Sequence, residues 1–316
     1  MSALLQYDGL KGATLPEGPL HLAIGMFDGV HLGHQSVIDS AVHSARRSGG
    51  LAGVLTFWPH PSALFRPDNP TPLLMPVDMK RRVLGQLGID FVIEQNFSRE
   101  FAGIEAKNFV SYLRQCQPRL SAIYVGENFR FGRGRAGDVA ILIEEAKRVG
   151  VAVFSAQRLK HNGAPISSSR IRELVAAGEI TEANALLGYS YFAEGVVEKG
   201  RQLGRTIGFP TLNLAWRPEL KPCFGVYAVE VLDAAGKARK GVANYGARPT
   251  VEAAGQPLLE VHLLEESALT YGDKLTVNWL HFLRSESKFG SVEALRAQIA
   301  IDVENARQFF SKNGSV

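Results

Sequence analysis

Two spacings of apolar residues divide the chain. Up to residue 154, short apolar runs at 20–27, 51–57, 91–94, 122–125 and 151–154 alternate with amphipathic stretches at 35–47, 78–87, 105–117 and 138–149. The runs predict strands and the stretches predict helices between them. Strict strand–helix alternation predicts a doubly wound parallel sheet. A further helical pattern over 170–187, interrupted at Gly178 and closed by Gly188, ends this half. Beyond Gly188 the period drops to two: alternating runs at 191–198, 225–232, 240–244, 258–264 and 274–282 predict antiparallel strands, and 292–310 predicts a terminal helix. The expected architecture is an α/β domain over 1–187 followed by a small antiparallel β-barrel domain with a C-terminal helix over 188–316.

The bulk properties fit that division. A chain of 316 residues can bury two cores, and 46% hydrophobic with 21% charged residues is the balance of a soluble globular protein. Apolar runs are too short to span a bilayer, and 1–19 lacks the basic start and apolar centre of a secretory signal, so the expected location is the cytoplasm, with no membrane partner. Cys116 and Cys223 belong to no Cys-x-x-Cys pair and suggest neither a disulfide framework nor zinc. The formal net charge is only +4, but basic residues gather at 80–82, 130–135 and 199–205. Two of these clusters lie among glycines, as single-phosphate sites do, and no alternating aromatics point to nucleic acid. Small anionic substrates are expected; self-association is left open.

The candidate chemistry starts where the first run ends. Gly25-Met26-Phe27-Asp28-Gly29-Val30-His31-Leu32-Gly33-His34 reads as strand, tight turn and helix start. Backbone N–H groups at such a start attract phosphate, and glycines let it approach. Two imidazole donors there would stabilise charge growing on a phosphorus under attack. His-x-Gly-His alone also suits a chance pair, half of a metal site or a helix cap. Segments after the other strands have similar character: Trp58-Pro59-His60-Pro61, then 126–135 with Asn128, then 166–172 with Ser167, Ser168, Ser169 and Arg170. In a parallel sheet these converge on one rim. The serine run equally fits N-capping of the following helix. Trp58 could stack on a flat ligand or pack against the first helix.

Taken whole, the first motif resembles the signature of the nucleotidyltransferase superfamily of adenylyl- and cytidylyltransferases, and its form is similar to the flavin branch. Ile166-Ser167-Ser168-Ser169-Arg170-Ile171-Arg172 resembles the Ile-Ser-Ser-Thr-x-Ile-Arg motif of the same superfamily, with Ser169 in place of threonine. The resemblance implies that Gly25, Phe27, Asp28, Gly29, His31, His34, Asn128, Ser168, Ser169 and Arg170 form the ATP phosphate site, and that Phe57 and Pro59 sit on the flavin side. Many relatives carry aspartate at the Asn128 position and an acidic residue at the Trp58 position.

In the second half, 200–213 holds Gly204-Arg205-Thr206-Ile207-Gly208-Phe209-Pro210-Thr211-Leu212-Asn213. Thr211 and Asn213 offer two oxygens suited to Mg²⁺. An ordinary Gly/Pro loop is the simpler reading until the segment is seen to resemble the Gly-Arg-x-x-Gly-Phe-Pro-Thr-Ala-Asn motif of riboflavin kinases. That resemblance implies ATP contacts from Gly204 and Arg205, a flavin contact from Arg248, Mg²⁺ at Thr211 and Asn213, and a general base at Glu260. Spacing alone would leave Glu260 as an exposed strand charge. No Gly-x-x-x-x-Gly-Lys-[Ser/Thr] loop occurs. Together the halves resemble bifunctional riboflavin kinase/FMN adenylyltransferases (FAD synthetases). This implies riboflavin, FMN and ATP as substrates: riboflavin is phosphorylated to FMN, and FMN is then adenylylated to FAD. The rivals are a chain with one active half, and a flavin-binding or regulatory protein that keeps both pockets with reduced catalysis.

Overall fold

The computed structural model describes residues 4–200, 203–247 and 257–313, in two compact units, Met1–Ser168 and Ser169–Val316. In the first, strands β1 (Leu5–Asp8), β2 (Leu20–Ile24), β3 (Leu51–Trp58), β4 (Phe91–Asn96), β5 (Leu120–Gly126) and β6 (Ala152–Ala156) form one parallel sheet in the order β1-β4-β3-β2-β5-β6. Five strands match the expected runs. β1 is an addition, because Leu5-Gln6-Tyr7-Asp8 is too short and too polar to announce itself, and it forms by pairing with β4 at the sheet edge.

The connecting helices are α1 (Leu32–Ser48), α2 (Pro61–Phe65), α3 (Val77–Gln86), α4 (Arg99–Ala102), α5 (Ala106–Cys116) and α6 (Val139–Arg148). β2 is buried at every position, as a strand covered on both faces must be. Phe109, Leu113 and Leu142 from the helices join Leu22, Leu55, Phe91 and Ile123 from the strands in one core. Gly53 is required where β3 meets β4, since a Cβ there would lie 2.1 Å from the Phe91 ring. A two-stranded hairpin, β7 (Lys160–His161) and β8 (Ala164–Pro165), precedes α7 (Ser168–Ala177).

In the second unit α7 continues into α8 (Ile180–Leu187), which ends at Gly188 with φ 78°. Strands β9 (Phe192–Glu198), β10 (Leu212–Leu214), β11 (Gly225–Leu232), β12 (Ala238–Ala247), β13 (Pro257–Leu263) and β14 (Lys274–Ser285) close an antiparallel barrel in the order β10-β13-β12-β11-β14-β9. The two helices before it hydrogen bond within this unit: Cys223 N–H donates to Val175 O, and Asn184 Nδ2 donates to Trp279 O at 2.8 Å. Buried Tyr227, Tyr245, Trp216 and Trp279 fill the barrel, with ring centroids 4.6–5.7 Å apart in four pairs. The short helix α9 (Leu203–Thr206) leads into β10, and α10 (Val292–Asn313) packs Val303, Ala306 and Phe310 against Val226, Ala228 and Val242.

Candidate active sites

In the first unit the strand order changes direction between β2 and β5, since β3, β4 and β1 lie to one side and β6 to the other. Ligands of doubly wound sheets bind beyond the carboxyl ends at such a point. The Gly25–His34 turn leaves β2 there, and exposed Asn128 follows β5 beside it.

The turn is held in unusual backbone geometry. Gly29 has φ 78°, but Phe27 (φ 49°) and Val30 (φ 35°) also lie in the left-handed region, which is costly for a β-branched residue. Several bonds impose it: Val30 N–H donates to Phe27 O, Gln35 Nε2 donates to Val30 O, and Ser168 Oγ donates to Asp28 O at 2.9 Å. Asp28 is buried, and its carboxylate accepts the Leu74 N–H at 3.0 and 3.1 Å. The Phe27 ring lies under Gly25 and edge-on to His34. In this structure Phe27 and Asp28 therefore brace the turn.

His31 is the N-cap of α1, and its Nδ1 accepts the His34 N–H at 3.3 Å. An accepting Nδ1 assigns the proton of the neutral ring to Nε2, which makes Nε2 a donor. The two imidazoles stack with centroids 3.6 Å apart, and Gly33 permits this, since a Cβ there would lie 3.2 Å from the His31 ring. The cap and the candidate phosphate site are thus the same residues. The positive end of the 17-residue α1 adds its field to the donors.

Beside the turn runs a narrow cleft whose walls include Met26, Asp28, Phe57, Trp58, His60 and Lys80. Phe57 packs on Phe97 and Phe101, Pro59 follows at the end of β3, and His60 Nδ1 caps α2 by accepting the Ser62 N–H. Trp58 is 44% exposed on this cleft. Lys80 was not foreseen. It is buried on α3, and its Nζ donates to Thr56 Oγ1 at 3.1 Å and lies 3.5 Å from Met26 O. A lysine on the same helical face as Met79, Val83 and Leu84 was the available signal. Burial pulls its pKa down, while Glu94 and Asp28 oppose that.

Two of the basic clusters, at 80–82 and 130–135, are engaged locally. Arg81 forks onto Glu94 at 2.6 and 2.9 Å, Arg133 pairs with Glu105, and Arg130 pairs with Asp138. At the start of the second unit Ser169 is exposed, and Arg170 donates to Glu182 at 2.8 Å.

In the barrel, β10, β13 and β12 place Asn213, Glu260 and Asn244 opposite one another. Leu259, Val261 and Tyr245 face the interior, so this polar row lies on the outer face. Asn244 heads the 244–250 segment that also matches the riboflavin kinase pattern, but only the register reveals it as a neighbour of Glu260. Asn213 is buried on that face, and Gly200 lies against it, since a Cβ there would be 2.3 Å from Asn213 Nδ2. Asn213 Oδ1 has no hydrogen-bond partner among the described residues. Gly204 lies near Thr211 Oγ1, two residues earlier, and Arg205 is exposed on α9. A buried amide oxygen without a partner among the described residues, two positions along the chain from a hydroxyl, fits a hard cation that takes its remaining oxygens from ATP. Arg248 lies outside the described residues.

Comparison with known proteins divides the chain the same way. A family model for FAD synthetase matches residues 16–170, and one for riboflavin kinase matches 187–310. The chain is 40% identical over 295 residues to the bifunctional riboflavin kinase/FMN adenylyltransferase of Escherichia coli K12, covering 93% of this chain and 94% of that one. Identity to the protein of the same name is 39% over 303 residues in Haemophilus influenzae (96% and 98% covered) and 35% over 296 residues in Bacillus subtilis (92% of each). Among solved structures, a macrolide-efflux protein from Streptococcus pneumoniae superposes with a TM-score of 0.87 at 27% identity, covering 96% of this chain and 98% of that one. Among the described residues no helix is long and apolar enough to cross a membrane. With both models matched in order and over a third of positions identical across nearly its whole length, the chain belongs to the bifunctional riboflavin kinase/FMN adenylyltransferase family.

Proposed function

We propose a division of labour in which the Asn213–Glu260 row serves the kinase step and the His31–His34 turn serves the adenylyl step. The chain is an enzyme of flavin-cofactor synthesis, a riboflavin kinase and an FMN adenylyltransferase. It phosphorylates riboflavin with ATP to give FMN, then joins FMN to AMP from a second ATP to give FAD and pyrophosphate.

In the kinase step the terminal ribityl hydroxyl is a poor nucleophile until its proton is taken. Glu260 takes that proton, the oxygen attacks the γ-phosphorus, and ADP leaves. Thr211 and Asn213 would hold Mg²⁺, which when bound neutralises charge on the ATP phosphates. Support comes from the buried Asn213 Oδ1 and from its register with Glu260. Gly204 and Arg205 lie at the triphosphate and Arg248 at the flavin.

In the adenylyl step the FMN phosphate is already anionic and needs no base. One of its oxygens attacks the α-phosphorus of ATP, and pyrophosphate leaves. His31 and His34 donate to the non-bridging oxygens, where charge grows in the transition state. Gly25 and Gly29 admit the phosphates, and Asn128, Ser168, Ser169 and Arg170 assist in binding them. The flavin ring lies at Phe57 and Pro59. We place the reactions in the cytoplasm, where ATP is supplied.

The observation that carries the adenylyl assignment is the Nδ1-engaged His31 stacked on His34 at the start of α1. Replacing both histidines with alanine should lower FAD formation by roughly a hundredfold or more and leave FMN formation intact. Glu260→Gln should lower FMN formation by about a hundredfold and spare FAD formation from supplied FMN. A near-wild-type rate in the assigned step of either variant would remove that assignment.

A further inference from the structure

Asp28 and Lys80 are the carboxylate and the ammonium among the residues that line the cleft beside the phosphate turn. Both are buried, at 4% and 6% exposure. Asp28 brings a negative charge to the place where a phosphorylated substrate must come, and a dianionic phosphate is repelled by it in a poorly hydrated site. Lys80 lines the same cleft and opposes that charge. Its ammonium is bound to Thr56 Oγ1 and lies near the Met26 carbonyl, while Thr56 Oγ1 itself donates to Met26 O at 3.0 Å. Thr56 and Met26 offer only neutral oxygens there, so they do not cancel the lysine's charge. Structural support of the turn alone would not need a cation, since Thr56 already reaches the Met26 carbonyl. Burying an ammonium is costly, and a lysine in such a place is more often functional than decorative.

We propose that Lys80 is a specificity residue of the adenylyltransferase half, which makes the cleft accept a phosphorylated flavin in preference to an unphosphorylated one. The inference rests on the reading that flavin enters along Phe57 to His60. An enzyme that makes FMN in one half and uses it in the other meets both flavins at once. A fixed cation distinguishes them by charge alone: loss of Lys80 removes an attraction that the FMN phosphate feels and leaves a neutral flavin unaffected.

The test uses the full chain and follows FAD formation from FMN and ATP. The competitor is 5′-deoxyriboflavin, a flavin without the hydroxyl that the kinase half phosphorylates. In the wild type, KM for FMN should lie well below Ki for the deoxyflavin; equal values would overturn the proposal without any variant. Lys80→Met should raise KM for FMN by roughly tenfold to a hundredfold and leave Ki for the deoxyflavin unchanged, with riboflavin phosphorylation as an internal control. Thr56→Val loses the hydrogen bonds but retains the lysine side chain, and should preserve the preference for FMN. Parallel shifts in KM and Ki for Lys80→Met, or loss of the preference in Thr56→Val, would reduce Lys80 to a support of the turn. Trp58→Ala separates the two levels of argument. If it raises both constants while Lys80→Met moves neither, the cleft takes flavin and the role of Lys80 is wrong. If both variants are silent, the flavin reading falls together with the proposal.

Discussion

His31 illustrates how little a single residue reveals until its neighbours are placed. In the sequence, a helix cap and a phosphate ligand are competing explanations. In the fold the cap bond occupies Nδ1 and thereby sets which nitrogen donates. His21 is a different case. Its Nδ1 meets Tyr124 OH at 2.9 Å and its Nε2 meets Ser48 Oγ at 2.8 Å, and burial lowers its pKa from 6.5. The unfolded chain therefore binds the extra proton more readily than the folded one. Stability from this group is complete above pH 6.5 and is lost as pH falls toward the lowered folded value. Thermal melts should register this as a drop in Tm on acidification through that window, a drop that is smaller in His21→Gln. Identical drops in both proteins would show that His21 does not carry the effect.

At the level of elements, long periodic segments were legible and short ones were not. α1, α5, α6 and the barrel strands other than β10 follow their apolar repeat, whereas β1 and β10 depend on neighbours for their hydrogen bonds. The β7–β8 hairpin carries a local signal: Asn162-Gly163, with φ 51° and 77°, is the turn pair preferred in tight hairpins. The same dependence on neighbours hid Lys80 and Asn244. Lys80 lies in no motif, Asn244 heads a 244–250 segment whose likeness to riboflavin kinases assigns it no role, and each matters only through what an adjacent strand or turn brings to it.

Two elements of the barrel unit lend themselves to test. A Cβ at Gly204 would lie 2.3 Å from Phe209 O, so the loop leading to Thr211 closes only around glycine. Gly204→Ala should reduce riboflavin phosphorylation by roughly tenfold and leave FAD formation from FMN unchanged, as assayed with each flavin separately. Arg284 forks onto Asp302 of α10 at 2.7 Å in both bonds, Gln298 adds a third, and Asp302 is 2% exposed. Removing one partner of a buried pair strands the other, so Asp302→Ala should cost about 3 kcal/mol in urea unfolding. Arg148 and Glu144 form an exposed pair, and Glu144→Ala should cost no more than about 0.5 kcal/mol. Equal costs would mean that burial does not govern these pairs.

For the whole molecule, one chain performs two chemistries, and we assign each to a separate unit with its own core and its own way of meeting phosphate. The parallel sheet offers a helix start, and the barrel offers a glycine loop folded over a polar strand row. The order of domains was visible in the change of apolar period near Gly188. The meaning of that order came from motifs: His-x-Gly-His and the loop before Asn213 state the chemistry, while the fold supplies the geometry that makes each usable. The most direct test incubates the purified chain with riboflavin, ATP and Mg²⁺ and separates riboflavin, FMN and FAD chromatographically over time, for wild type and for the variant with both His31 and His34 changed to alanine. The account predicts FMN followed by FAD in the wild type, and accumulation of FMN with almost no FAD in the variant. FAD appearing in the variant at the wild-type rate, or FMN formation failing along with it, would contradict the division of labour between the two units.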